Sequence, residues 1–173
     1  MYLISVYFDE GTNKRIQSYI KQVAKRSGNT FMTEKNVPPH LTVSAFETRD
    51  EEMILNLFER KKEIFQSGEL TWCSVGMFFP HVIYLAPVLN AYLQKLSEEI
   101  YEILREAEGI KVHICYRPMQ WFPHTTIGKK LSKEEMFSAF QVMQEQFGMF
   151  SGKAARIGLA RTNPYEELWD CEL

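Results

Sequence analysis

One short pattern occurs twice in this chain: Pro39-His40-Leu41-Thr42-Val43 and Pro123-His124-Thr125-Thr126-Ile127. Alternate side chains of an extended strand share a face, so His40 projects with Thr42 and His124 with Thr126. The two histidines lie 84 positions apart in 173 residues, close to half the chain, which points to an internal duplication. Only four histidines are present, and two accidental matches among them come to roughly one in a hundred. An imidazole beside a hydroxyl can hold and protonate a phosphate oxygen. Presented twice, the pair can serve as an acid–base machine.

Hydrophobic periodicity gives the two halves one element order. Met1 to Phe8 reads as a strand, followed by a helix over Thr12 to Arg26 with Ile16, Tyr19, Ile20, Val23 and Ala24 on one face. A loop from Ser27 to Pro38 leads into the first motif strand, His40 to Phe46. A helix over about Asp50 to Phe65 and a strand over Glu69 to Phe79 complete this half. The second half runs Val82 to Pro87 (strand), Asn90 to Ala107 (helix) and Trp121 to Lys129 (the second motif strand). A helix opens at Ser132, with Glu135 completing a capping box and Met136, Phe137, Phe140, Met143 and Phe147 predicted buried. Thr48 and Glu51 offer a similar box in the first half. Strands near Lys153 to Thr162 and Glu167 to Glu172 close the chain around the turn signal Asn163-Pro164. No linker rich in Gly, Ser or Pro divides the halves, so residues 1–173 read as one bilobal domain duplicated at about 1–80 and 81–173. The order alone leaves strand direction open: a parallel doubly wound sheet would alternate similarly, although Phe8-Asp9-Glu10-Gly11 is no dinucleotide fingerprint.

Composition narrows the ligand. Twenty basic against 22 acidic residues, net −2, provide no strongly cationic field for a long nucleic acid. A local cluster such as Lys129-Lys130 still suits a small phosphorylated ligand. Cys73, Cys115 and Cys171 are odd in number and widely spaced, with no Cys/His cluster, so neither a disulfide scaffold nor a metal site is expected. The N-terminus reads as a strand rather than a signal peptide, and no apolar run approaches the ~20 residues of a membrane helix. The expectation is a cytoplasmic monomer without cofactor, membrane association or a stable protein partner.

These residues resemble the two-histidine phosphoesterases, specifically the bacterial 2′-5′ RNA ligase or RNA 2′,3′-cyclic phosphodiesterase family. The resemblance rests on the two His-x-Thr-aliphatic motifs, on Phe122-Pro123, and on Val82-Ile83-Tyr84-Leu85 as the apolar strand between the halves. It implies an α+β fold of two pseudo-symmetric lobes. Each is an antiparallel sheet with helices on its outer face, and the active-site cleft lies between them. Two departures stand out: Thr125 occupies a position usually aliphatic, and Gly128-Lys129-Lys130 stands where many relatives carry an arginine. Lysine supplies a point charge without a bidentate fork.

The implied activity is hydrolysis of a 2′,3′-cyclic phosphate or 2′-5′ phosphodiester in RNA ends or small nucleotides. His40 and His124 are read as the acid/base pair and Thr42 and Thr126 as phosphate ligands, with no metal required. The near-identity of the motifs leaves open which histidine is acid and which base. Tyr84, Trp121 and Lys130 are candidate substrate contacts; ordinary core packing and a solvated strand end are the alternatives. His81 and His113 match no pattern and are read as structural. The competing function is a catalytically silent nucleotide- or RNA-binding module of the same fold.

Overall fold

A computed structural model describes residues 1–173. Its strands are β1 (Tyr2–Phe8), β2 (His40–Glu47), β3 (Glu69–Phe78), β4 (Val82–Pro87), β5 (Lys111–Val112), β6 (Thr125–Lys129), β7 (Phe150–Arg161) and β8 (Glu166–Glu172). The helices are α1 (Glu10–Ser27), α2 (Phe31–Lys35), α3 (Glu51–Lys61), α4 (Ala91–Arg105) and α5 (Lys133–Gln146). The strands run β5-β2-β1-β7-β3-β4-β6, with β8 added to β7. Every pairing is antiparallel, which excludes the doubly wound alternative.

The order has one pivot. Phe150–Lys153 of β7 pair with β3, whereas its later residues, from Ala154, pair with β1 and, from Arg156, also with β8. A single strand thereby serves two sheets. One lobe holds β5, β2, β1, β8 and the later part of β7; the other holds β6, β4, β3 and its first residues. The outermost motif strands β2 and β6 approach one another without pairing.

The expected division near residue 80 does not coincide with the division between lobes. Helix α1 follows β1 but packs with α5 against β6, whereas α4 follows β4 but packs with α3 near β2. Each half supplies helices to the lobe that holds the other half's motif. Close approach makes this possible at Gly128, where a Cβ would lie 2.8 Å from Ile83 and 3.3 Å from Val23 of α1. The amphipathic faces read from the sequence are the ones buried: Ile16, Tyr19, Ile20 and Val23 on α1, and Leu93, Leu96, Ile100, Ile103 and Leu104 on α4. No helix is long and apolar enough to cross a membrane.

Local differences have local causes. The loop after Ser27 contains α2, a single turn closed by Asn36 in the left-handed region. Asp50, rather than Thr48 and Glu51, caps α3 by accepting from the Met53 N–H. The Ser132/Glu135 capping box is present as expected. Strand β6 begins at Thr125, because Pro123 has no N–H to give a ladder. Phe137 is exposed, since α5 turns that position away from the sheet.

Trp72 joins the lobes. Fully buried, it meets Phe8 of β1 edge-on and stacks on Phe150 of β7, both at 4.9 Å between centroids. Its Nε1–H donates to the buried Thr125 hydroxyl at 3.2 Å. That bond accounts for a threonine where an aliphatic residue is usual: the hydroxyl satisfies an indole that would otherwise be buried unpaired. Thr125→Val is expected to cost about 1–3 kcal/mol in the wild-type background, because it orphans the indole N–H. In a Trp72→Phe background the same change should cost close to nothing. Urea unfolding of the four proteins measures the difference, and equal costs in both backgrounds would contradict this pairing.

Candidate active site

Both motifs are built alike. In each, the imidazole Nδ1 lies against a backbone carbonyl two residues upstream: His40 against Pro38 at 2.9 Å, His124 against Phe122 at 3.0 Å. A carbonyl oxygen only accepts, so Nδ1 carries the proton in both rings and Nε2 is left free for chemistry. The intervening residues, Pro39 and Pro123, explain the geometry. Proline restricts the residue before it to extended backbone, which sets the direction of that residue's carbonyl.

A bulge follows each threonine. Thr42 pairs with Ser5 and Ser44 with Ile4, leaving Val43 extra; Thr126 pairs with Tyr84 and Gly128 with Ile83, leaving Ile127 extra. The extra residue shifts the alternation by one. The residue three beyond each threonine therefore returns to the cleft face: Ala45 in the first motif and Lys129 in the second. Register confirms the face of Lys129, which pairs with Val82, itself opposite Phe78; Phe78 lies 4.8 Å from the His124 ring.

The two half-sites face one another. The charges of His124 and Lys129 both act on His40. Trp121, just before the second motif, donates its Nε1–H to the Thr42 carbonyl of the first at 3.0 Å. Thr42 and Ser5 share a hydroxyl hydrogen bond at 3.2 Å. Burial holds the His40 imidazole below the ordinary value of 6.5; the Pro38 carbonyl opposes this, and the two nearby cations push it further down. Burial likewise lowers His124, against the opposing effect of the Phe122 carbonyl. Both rings can therefore exchange protons on the acid side of neutrality.

Residues 13–166 match the family described as the 2′-5′ RNA ligase superfamily. The chain belongs to this superfamily. Its members are two-histidine phosphoesterases, and membership supports phosphoesterase activity on a phosphodiester or cyclic phosphate. A crystal structure of a phosphoesterase superposes with a TM-score of 0.59 at 18% identity, covering 99% of this chain and 97% of that one. E. coli LigT complexed with 3′-AMP gives 0.56 at 13%, covering 99% and 96%. The MHV ns2 PDE domain gives 0.52 at 13%, covering 99% of both chains. At these identities the likeness shows the fold. No curated protein matches the sequence.

The remaining residues named from the sequence fall into different places in this superfamily fold. Tyr84 lies beside His124, with ring centroids 5.5 Å apart, seated over Gly76, where a Cβ would meet its ring at 2.6 Å. Trp121 is buried, with its indole committed to Thr42, so it clasps the two motif strands and offers no face for stacking. Lys130 turns away into the left-handed region and rests its ammonium 4.7 Å over Phe31 of α2; the cation on the cleft face is Lys129. His81 is held by the Leu131 carbonyl, outside the cleft. Sequence reasoning missed Tyr7 and Arg156. The Tyr7 ring lies 6.0 Å from that of His40, and Arg156 covers it at 4.0 Å. Neither belongs to a motif; strand pairing alone brings them together.

Both imidazoles titrate lower in the folded chain than in the unfolded one, so the unfolded state binds more protons just below pH 6.5. Their contribution is undiminished above that value and is expected to be lost as pH falls through the depressed folded values. Denaturant midpoints of wild type and His40→Gln/His124→Gln between pH 7 and 5 test this. The variant should lose less stability than wild type, and parallel curves would contradict it.

Proposed function

We propose that this protein hydrolyses 2′,3′-cyclic phosphates or 2′-5′ phosphodiesters in RNA ends or small nucleotides, by metal-independent acid–base catalysis from His40 and His124. The observation that carries the proposal is the repeated Nδ1–H bond to a carbonyl, which leaves two free Nε2 atoms on facing strands beside two threonines. Phosphoester cleavage needs a proton removed from the nucleophile, a proton given to the leaving oxygen, and the phosphoryl oxygens stabilised. One neutral and one protonated imidazole perform the first two tasks. The Thr42 and Thr126 hydroxyls donate to the non-bridging oxygens, and Lys129 adds a positive charge on the cleft face. Tyr84 contributes to the wall against which the nucleoside rests.

A nucleotide is the assigned ligand class because similar folds act on or hold them: E. coli LigT was solved with 3′-AMP. Both half-sites come from one chain, so a monomer suffices. The three cysteines are free thiols, which suits a reducing compartment such as the cytoplasm.

Nucleoside 2′,3′-cyclic phosphates incubated with the protein in excess chelator should yield monophosphates. His40→Ala and His124→Ala should each reduce turnover by about 10²–10⁴-fold. The pH dependence of kcat/KM should be a bell centred below pH 6.5, since burial lowers both imidazoles. Binding of the cyclic nucleotide without product would instead identify a silent binding module. Loss of activity in chelator would contradict the metal-independent scheme.

A further inference from the structure

The duplicated motif is symmetric at histidine, threonine and bulge, but its surroundings are not. Around His124 the cleft face is aromatic: Phe78 lies 4.8 Å from the imidazole, Tyr84 5.5 Å, and Phe122 packs on both at 6.0 and 5.7 Å. Phe78 and Phe122 are 39% and 50% exposed, so this wall presents open apolar surface.

The surroundings of His40 are polar and closed. Arg156 lies over the Tyr7 ring, so that face is already occupied. Tyr7 shares a hydrogen bond with the Tyr165 hydroxyl at 2.9 Å. Arg156 is itself held by Glu167 at 2.7 Å and Asp170 at 3.3 Å, so one cation is set against two carboxylates. A phosphate chain running this way would meet net negative charge. Three residues beyond each threonine the difference recurs: Ala45 on the His40 side, Lys129 on the His124 side.

On this asymmetry we infer that the two histidines have different, fixed duties: the nucleoside lies on the aromatic wall, His124 is the general acid, and His40 is the general base. The inference rests on the reading under Proposed function and adds the orientation of the substrate. In-line displacement places the nucleophile and the leaving oxygen on opposite sides of phosphorus. The leaving oxygen belongs to the ribose, so it lies on the nucleoside's side, next to His124. Water approaches from the polar side. His40 Nε2 takes a proton from that water as its oxygen bonds to phosphorus. The bond from phosphorus to the ribose 2′ or 3′ oxygen breaks, and that oxygen receives the proton from His124 Nε2. The products are a nucleoside monophosphate, protonated His40 and neutral His124; proton exchange with solvent restores the starting state. Lys129 fits this division, because its charge acts on His40 and favours the neutral ring a base requires.

A leaving group that needs no proton separates the two duties. With bis(4-nitrophenyl) phosphate, His124→Ala is expected to retain activity within about tenfold of wild type, while losing about 10²-fold or more on a nucleoside 2′,3′-cyclic phosphate. His40→Ala should lose activity on both substrates. Rescue in His40→Ala, or equal losses on both substrates in both variants, would overturn the assignment. An independent measurement reads the orientation directly. Phe122→Ala should raise KM for the cyclic nucleotide about tenfold or more, with inhibition by inorganic phosphate unchanged. An unaltered KM would overturn the placement of the nucleoside, even if the aryl diester proved to be no substrate. Absence of cyclic phosphate hydrolysis in wild type strikes the proposed function itself; normal turnover with the wrong pattern of rescue strikes only the orientation.

Discussion

Two histidines from opposite ends of a strand order can meet only if the sheet turns back on itself, and β7 is what turns it. Its first residues belong to the sheet of β3, β4 and β6, and the rest to the sheet of β1, β2 and β8. Trp72 fills the junction, touching β1 and β7 with its rings and β6 through Thr125. Trp121 closes the opposite side by holding the Thr42 carbonyl. The exchanged helices, with α1 on one lobe and α4 on the other, tie the same two halves together from outside. Separate opening of the lobes would therefore break ladder, core and helix packing together, which suits a site whose two acid–base groups must keep a fixed separation.

Within each half-site, every motif position has a physical task. The proline directs the carbonyl that fixes the tautomer, the histidine presents Nε2, and the threonine presents its hydroxyl. The aliphatic residue is the bulge that brings a third side chain to the cleft. Repetition of this unit makes a symmetric frame for a phosphate, while the flanking strands differ: aromatic rings with Lys129 on one side, Tyr7 and the neutralised Arg156 on the other. Symmetry serves the phosphoryl group, and asymmetry distinguishes the groups attached to it.

Much of this was legible in the sequence, because the elements that matter are strongly periodic. The faces of α1 and α4, the bounds of β4 and the Ser132 capping box follow from spacing and cap chemistry that act over a few residues. The four motif residues were legible because they repeat. Contacts set by tertiary pairing were not. Trp121 looked like a stacking surface, but its indole is used within the fold. Lys130 and Lys129 could not be told apart until the bulge at Ile127 fixed which of them faces the cleft. Arg156 and Tyr7 come from strands far apart in the chain, and no local pattern announces their pairing. The exchange of helices between lobes is likewise a property of topology, to which periodicity is blind.

The central claim is that His40 and His124 bracket a single anion, and imidazole nitrogen NMR tests it most directly. In protein labelled with ¹⁵N-histidine, inorganic phosphate should shift the Nε2 resonances of both residues together, along one saturation curve with one equivalent bound, while His81 and His113 stay fixed. Movement of only one of the two resonances, or two curves with separate affinities, would contradict a shared site.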